Sequence, residues 1–293
     1  IPASCCGVFG LKPSRGRNLT SEAWAGLAAF HAVTRSVRDS AALLDALRGP
    51  PSHHPFSLPK PATPFLDAVE RDPGRLRIAW TARTPDDVAL HPECRAAVER
   101  AAELAATFGH TVEEADPEID YGLLRRAMIT IVAASIADAL APDNPLRPEG
   151  ADEGDVEIIT WRFAERGARL SATQYLRAVA GIRAIGERLA AFFARYDVLL
   201  TPTMAQPPMR LGALDTCEDD LDGFNRAVGP YVVFTQMFNM SGQPAASLPL
   251  HWTADGLPVG VQIAARVGEE APLLALAAQF ERACPWFKKR PPR

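Results

Sequence analysis

The chain has 293 residues, 47% of them hydrophobic, enough to bury the core of one large domain or two modest ones. Its net charge of −4 provides no basic field to hold a phosphate backbone, which argues against a nucleic-acid partner. Apolar runs such as residues 128–141 break off before bilayer length, arguing against a membrane partner, and five scattered cysteines suit a reducing cytoplasm better than a disulfide scaffold.

In chain order, residues 5–11 (CCGVFGL) predict a short buried strand, and KPSRGR turns the chain outward into a surface loop, NLTSEAWAG. Asp39 or Ser40 then opens a helix whose Leu43, Leu44 and Leu47 share a face, stopped at Gly49-Pro50-Pro51. Residues 50–65 are a proline-rich surface segment. RLRIAW (75–80) is a strand, and the following helix has Pro92 in its first turn and Gly109 past its end. Cys94, Val98, Ala101, Ala105 and Phe108 hold one stripe of that helix, and HTVEEA (110–115) is the next strand. Strand, helix and strand in this order imply a crossover unit and a largely parallel sheet.

The middle is helical, interrupted by an acidic loop at 142–157. Ser171 and Gln174 form a capping box for the longest helix, whose stripe is Leu176, Val179, Ile182, Leu189, Phe192 and Tyr196. Residues 197–200 make a buried strand that empties into Thr201-Pro202-Thr203. A helix, a break at Gly229-Pro230, a second helix and another strand follow. Asp255-Gly256 turns a hairpin, a last helix covers 271–283, and the tail from Trp286 is solvated.

No self-contained catalytic motif is present: no nucleophile elbow, phosphate loop or zinc-protease helix. His53 and His54 are adjacent in the proline-rich segment with no second ligand pair at metal spacing, so no metal or cofactor is expected. Cys5 and Cys6 sit in an apolar run without a base nearby and read as structural thiols. Lys12 reads as an anchor at a strand exit, bonding carbonyls or an acid. Asp152, Glu153, Asp155 and Glu157 read as a solvated loop rather than a cation site. Trp24, Tyr231 and Phe234 are candidates for a cleft lining or for the core.

Four stretches, taken together, resemble one family. Ile1, Pro2, Cys6, Gly7, Gly10, Leu11, Lys12, Pro13, Ser14, Gly16 and Arg17 match the segment that follows the nucleophile in the amidase signature family. Thr34–Asp39 resembles its helix start, and Asp197–Thr203 resembles its D-x-L-L-x-P-T strand. Phe238–Ala245 with Gly256–Gln262 resembles its N-x-x-G-x-P-A and G-L-P-x-G-x-Q elements. The opening and closing motifs look most like the branch that includes 6-aminohexanoate cyclic-dimer hydrolase.

The resemblance implies an α/β fold, the C-terminal part of the amidase signature fold, with a mixed central sheet covered by helices on both faces. It also implies a serine nucleophile, a bridging serine and a lysine that begins neutral, cleaving a carboxamide through an acyl-enzyme. In the family pattern the nucleophile falls three positions before Ile1, and the other two residues lie further upstream. The expectation is therefore that residues 1–293 are a partial amidase domain with no catalytic residue of their own. Lys12, Ser4 and Ser14 match no member of the relay. The implied partners are a small amide substrate and either a second copy or a complementing N-terminal chain. Candidate cleft walls are the 201–208 loop, the acidic 143–157 loop and the 229–238 helix. Strand 5–11 should lie inside the sheet, and a missing partner would leave an apolar face larger than roughly 300–600 Å². Two other readings stay open: a non-catalytic assembly subunit built on the same fold, and an unrelated enzyme using Cys6 or Lys12.

Overall fold

A computed structural model describes residues 1–18, 23–47, 49, 56–145, 147 and 152–290. The crossover unit is built as its periodicity dictates. Strand β3 (Arg77–Trp80), helix α5 (Pro92–Thr107) and strand β4 (Thr111–Glu114) follow one another, and β3 and β4 pair in parallel. His91 caps α5, its Nδ1 accepting from Glu93 N at 3.2 Å, and Pro92 occupies a first-turn position that needs no N–H donor. The stripe from Cys94 to Ala105 is buried.

Beyond this unit the sheet departs from the parallel expectation. Strand β5 (Val198–Pro202) pairs in parallel with the other side of β3, but β7 (Pro258–Ala265) and β6 (Ala245–Trp252) continue the sheet antiparallel. The turn at Asp255-Gly256 makes the β6–β7 pair antiparallel, because a short hairpin connection can join only antiparallel strands. Next come β1 (Phe9–Lys12) and the two-residue β2 (Val33–Thr34), giving the order β2-β1-β6-β7-β5-β3-β4. The sheet is mixed.

The expected strand at 5–11 begins late, because Cys5 and Cys6 are helical. Pro2–Cys6 form a short helix, α1, which ends at Gly7, and only then does β1 begin. Pro2 sits in its first turn, where a fixed φ favours helix, and Cys5 N closes the turn onto the Ile1 carbonyl at 3.0 Å. Strand β1 lies between β2 and β6, inside the sheet. The loop that follows contains α2 (Ala23–Gly26), a single turn in which Trp24 and Ala25 both take a φ of 54°.

Helix α3 (Val37–Ala46) starts earlier than expected: Ser36 Oγ accepts from Asp39 N at 3.1 Å and is the cap. The buried face accordingly rotates to Val37, Ser40, Ala41 and Leu44, and Leu43 and Leu47 are exposed. In the proline-rich segment, 50–55 fall outside the described residues, and so do His53 and His54. The segment does not stay on the surface throughout. It ends by plugging Phe65 into the core at the start of α4 (Phe65–Ala68), with the Asp45 carboxylate accepting from Phe65 N and Leu66 N at 3.0 and 2.9 Å.

Helices cover both faces of the sheet. On one face α3, α4, α5 and the last helix α11 (Glu270–Ala283) enclose Phe9, Leu11, Ile78, Leu200, Leu248 and Ile263. On the other, α6 (Tyr121–Ala139), α8 (Ala172–Phe193) and α10 (Gln236–Ser241) pack over Leu199, Ala245 and Ala264, with α7 (Ile158–Ala168) outside α6. The capping box at Ser171 and Gln174 forms. Leu176, however, is 65% exposed, and the buried line of α8 runs Ala178, Gly181, Ile185, Leu189 and Phe193. Helix α9 (Leu221–Val232) passes through Gly229-Pro230 without the expected break. The tail is not wholly solvated. Trp286 is buried, its Nε1 donating to the Arg35 carbonyl at 3.1 Å, and Lys289 lies 3.8 Å from the centre of the Trp252 ring. No described helix is long and apolar enough to cross a membrane.

Candidate active site

Strand register brings one row of residues together on the α10 side of the sheet. Val33, Gly10, Ser247, Gln262 and Thr201 stand side by side across β2, β1, β6, β7 and β5. Three of the five are polar, and all three are buried, so each needs an internal partner. Gln262 Nε2 donates to Thr201 Oγ1 at 2.9 Å and to the Phe234 carbonyl at 3.0 Å, and Ser247 Oγ shares a 2.9 Å hydrogen bond with Thr203 Oγ1.

Helix α1 settles directly on this row. Ser4 Oγ accepts from Gly260 N at 2.9 Å. A Cβ on residue 260 would fall 2.6 Å from Ser4 Oγ and 2.5 Å from Ser247 Oγ, so the second glycine of G-L-P-V-G is required by close approach rather than by its backbone angles.

Above the row lies a cleft of about 300 Å³. Thr203, Ser247 and Gln262, residues 29 and 31–33, Phe238 and Asn239 of α10, and Ile1 and Lys12 are among the residues that line it. Among the described residues no carboxylate lines it. Lys12 Nζ donates to the Pro13 carbonyl at 2.9 Å. Burial, followed by the nearby positive charge of Arg15, pushes its amine down to about 7. Burial also holds the His31 imidazolium below its ordinary range. Its Nδ1 bonds the Ala32 carbonyl at 3.1 Å, an acceptor-only group, which assigns the proton to Nδ1. The cleft thus holds a hydroxyl pair and a lysine that titrates near neutrality. Among the described residues no hydrogen bond joins them: Lys12 Nζ bonds the Pro13 carbonyl and the hydroxyls bond each other.

The other candidates lie elsewhere. Cys5 is half-buried with its Sγ 3.7 Å from Met204 Sδ, and burial pushes its thiol up, away from nucleophilic character; Cys6 is exposed. Asp152 and Asp155 cap each other at an exposed turn, and no group of three metal-ligating side chains occurs among the described residues. Phe234 is core, Tyr231 is half-buried and Trp24 faces a separate groove. Of the three expected wall elements, the 201–208 loop supplies Thr203 and the 229–238 helix supplies Thr235 and Phe238, but none of the described residues of the acidic loop lines the cleft. His31, Asn239, Ser247 and Gln262 were missed as lining residues. Asn239 and Gln262 sit inside the closing motifs, which was the one signal available for them.

A family model described as Amidase matches residues 1–274. The chain belongs to that family. It is 37% identical to a 6-aminohexanoate-cyclic-dimer hydrolase of Pseudomonas sp. strain NK87 over 99% of its own length and 62% of the relative's. A putative amidase, AmiB2, of Mycobacterium tuberculosis strain H37Rv is 35% identical, with 99% of this chain and 60% of the relative covered. The chain therefore spans about three fifths of the length of the curated relatives it matches. Among solved structures, 6-aminohexanoate cyclic dimer hydrolase complexed with substrate superposes with a TM-score of 0.89 at 36% identity, covering 99% of this chain and 63% of that one. A bacterial aryl acylamidase of the amidase signature family gives a TM-score of 0.81 at 26% identity, covering 99% and 62%. The mixed sheet with helices on both faces is the amidase signature fold.

Proposed function

We propose that residues 1–293 form part of an amidase domain that hydrolyses a small carboxamide, a linear or cyclic aminoacyl amide, and that this part supplies lining of the substrate cleft. The observation that carries the reading is that Ile1 lines the cleft. In the family pattern the nucleophile falls three residues before Ile1, so a chain entering from upstream would deliver a serine close to the cleft. Among the described residues no base is hydrogen-bonded to the Thr203–Ser247 pair, Lys12 included, which favours a relay carried by preceding residues over one assembled from these side chains. No cofactor enters this scheme.

The test is hydrolysis by the full-length gene product and by residues 1–293 alone, offered simple carboxamides and the cyclic dimer of 6-aminohexanoate. The full-length protein is expected to release amine at an enzyme-like rate and residues 1–293 alone to release none. Turnover by residues 1–293 alone would overturn the assignment of the relay, and inactivity of the full-length protein on every amide would overturn the amidase reading.

A further inference from the structure

The loop Pro13–Asn18 faces two ways, and its inward face is fixed. Ser14 N donates to Glu270 Oε1 at 2.8 Å, and Ser14 Oγ accepts from Gly268 N at 2.9 Å. Arg17 Nε reaches Glu270 Oε2 at 3.0 Å, an ion pair in which both side chains are buried. This welds the loop to the start of α11.

Arg15 points the other way, with no carboxylate partner among the described residues; every acceptor it finds is a backbone carbonyl. Its Nε donates to the Gly26 carbonyl at 2.9 Å, and one terminal nitrogen donates to the carbonyls of Asn239 and Met240 at 2.5 and 3.0 Å. Its own backbone N–H bonds the Gly242 carbonyl at 2.9 Å. Asn239 and Met240 are in the last turn of α10, where carbonyls lack helical partners and a cation is favoured. Gly26 opens the stretch that leads to the lining residues 29 and 31–33. Asn239 Nδ2 adds a fourth side-chain bond between the same two segments, to the Leu27 carbonyl at 2.9 Å. The guanidinium therefore ties together two of the segments that line the cleft, yet it does not itself line it. A planar fork can hold two separated acceptor sites at fixed spacing, whereas a lysine ammonium presents a single point.

We propose that Arg15 is a positioning residue that sets the width of the cleft, and through it the bulk of the amide group admitted. The inference rests on reading this cleft as the substrate site. Arg15→Lys and Arg15→Met in the full-length protein would be assayed on two anilides that differ only in acyl bulk, one small and one branched. Loosening the strut should raise KM for the small substrate with kcat within about twofold, and should shift the small-to-branched ratio of kcat/KM toward the branched one by about tenfold, the size of effect that one hydrocarbon group commands in a fitted pocket. Arg15→Lys should fall between wild type and Arg15→Met. An equal loss on both substrates would mean that Arg15 serves stability alone and would overturn the proposal, as would failure of both variants to fold. If the wild-type protein cleaves neither anilide, the same comparison is made on two amides that it does cleave and that differ only in acyl bulk; inactivity of the wild type on every amide overturns the amidase reading, an outcome told apart by the unmutated enzyme.

Discussion

The crossover unit at 77–114 and the cleft are built by opposite routes. In the crossover unit, strand, helix and strand are consecutive, and the apolar stripe of α5 meets strands a few residues away. The cleft and the elements that support it are assembled from residues whose partners lie far off in sequence: Lys12 pairs with Ala245, Ser4 holds Gly260 and Arg17 holds Glu270. Local signals suffice for the first. The second depends on buried polar groups that must find one another across most of the chain, and each is costly when its partner is lost.

That contrast can be broken in order of effect. Arg17→Met would leave the Glu270 carboxylate buried without its cation, and should cost about 3–5 kcal/mol, read as a large drop in the urea midpoint. Gly260→Ala should cost about 1–3 kcal/mol by overpacking Ser4 and Ser247, with the damage felt at the cleft before the rest of the fold. A purely local device should matter less: Ser36→Ala removes the cap of α3 for about 1 kcal/mol. At the small end, Gly186→Ala in α8 meets nothing within 4 Å and should stabilise the protein by about 0.5–1 kcal/mol. If the local changes proved as costly as the long-range ones, the comparison would collapse.

Lys12 gives the contrast a pH signature. Its amine is lowered from 10.5 to about 7, first by burial and then by Arg15. The unfolded chain binds this proton below about pH 10.5 and the folded chain only below about pH 7. The group's contribution therefore favours folding above the upper value and is lost as pH falls through the lower one. Relative to Lys12→Met, the wild type should gain stability between pH 7 and pH 9 in urea titrations. A constant difference between the two proteins would show that the lysine is not desolvated in this way.

Legibility followed the same division. The α5 stripe, the Ser171–Gln174 box and the Asp255-Gly256 turn rest on neighbours within a few residues, and each was readable from the sequence. Cys5 and Cys6, the start of the expected strand, were misread because a short apolar run suits strand or helix equally, and Pro2, which favours a first helical turn, was the overlooked signal. Trp286 was assigned to solvent because its flanking charges hid a partner, the Arg35 carbonyl, some 250 residues away. The polar row under the cleft could not be read at all. Periodicity says that Ser247 and Gln262 each point to one face, but only strand register says that they stand side by side. The family motifs located Asn239 and Gln262 without giving them a role.

The central claim is that this chain shapes an amidase cleft whose attacking serine comes from upstream. Treating the full-length protein with a fluorophosphonate and mapping the modified peptide by mass spectrometry tests it most directly. The label is expected on a serine that precedes Ile1, and a label on Ser247, or on any other residue from Ile1 onward, would contradict the account.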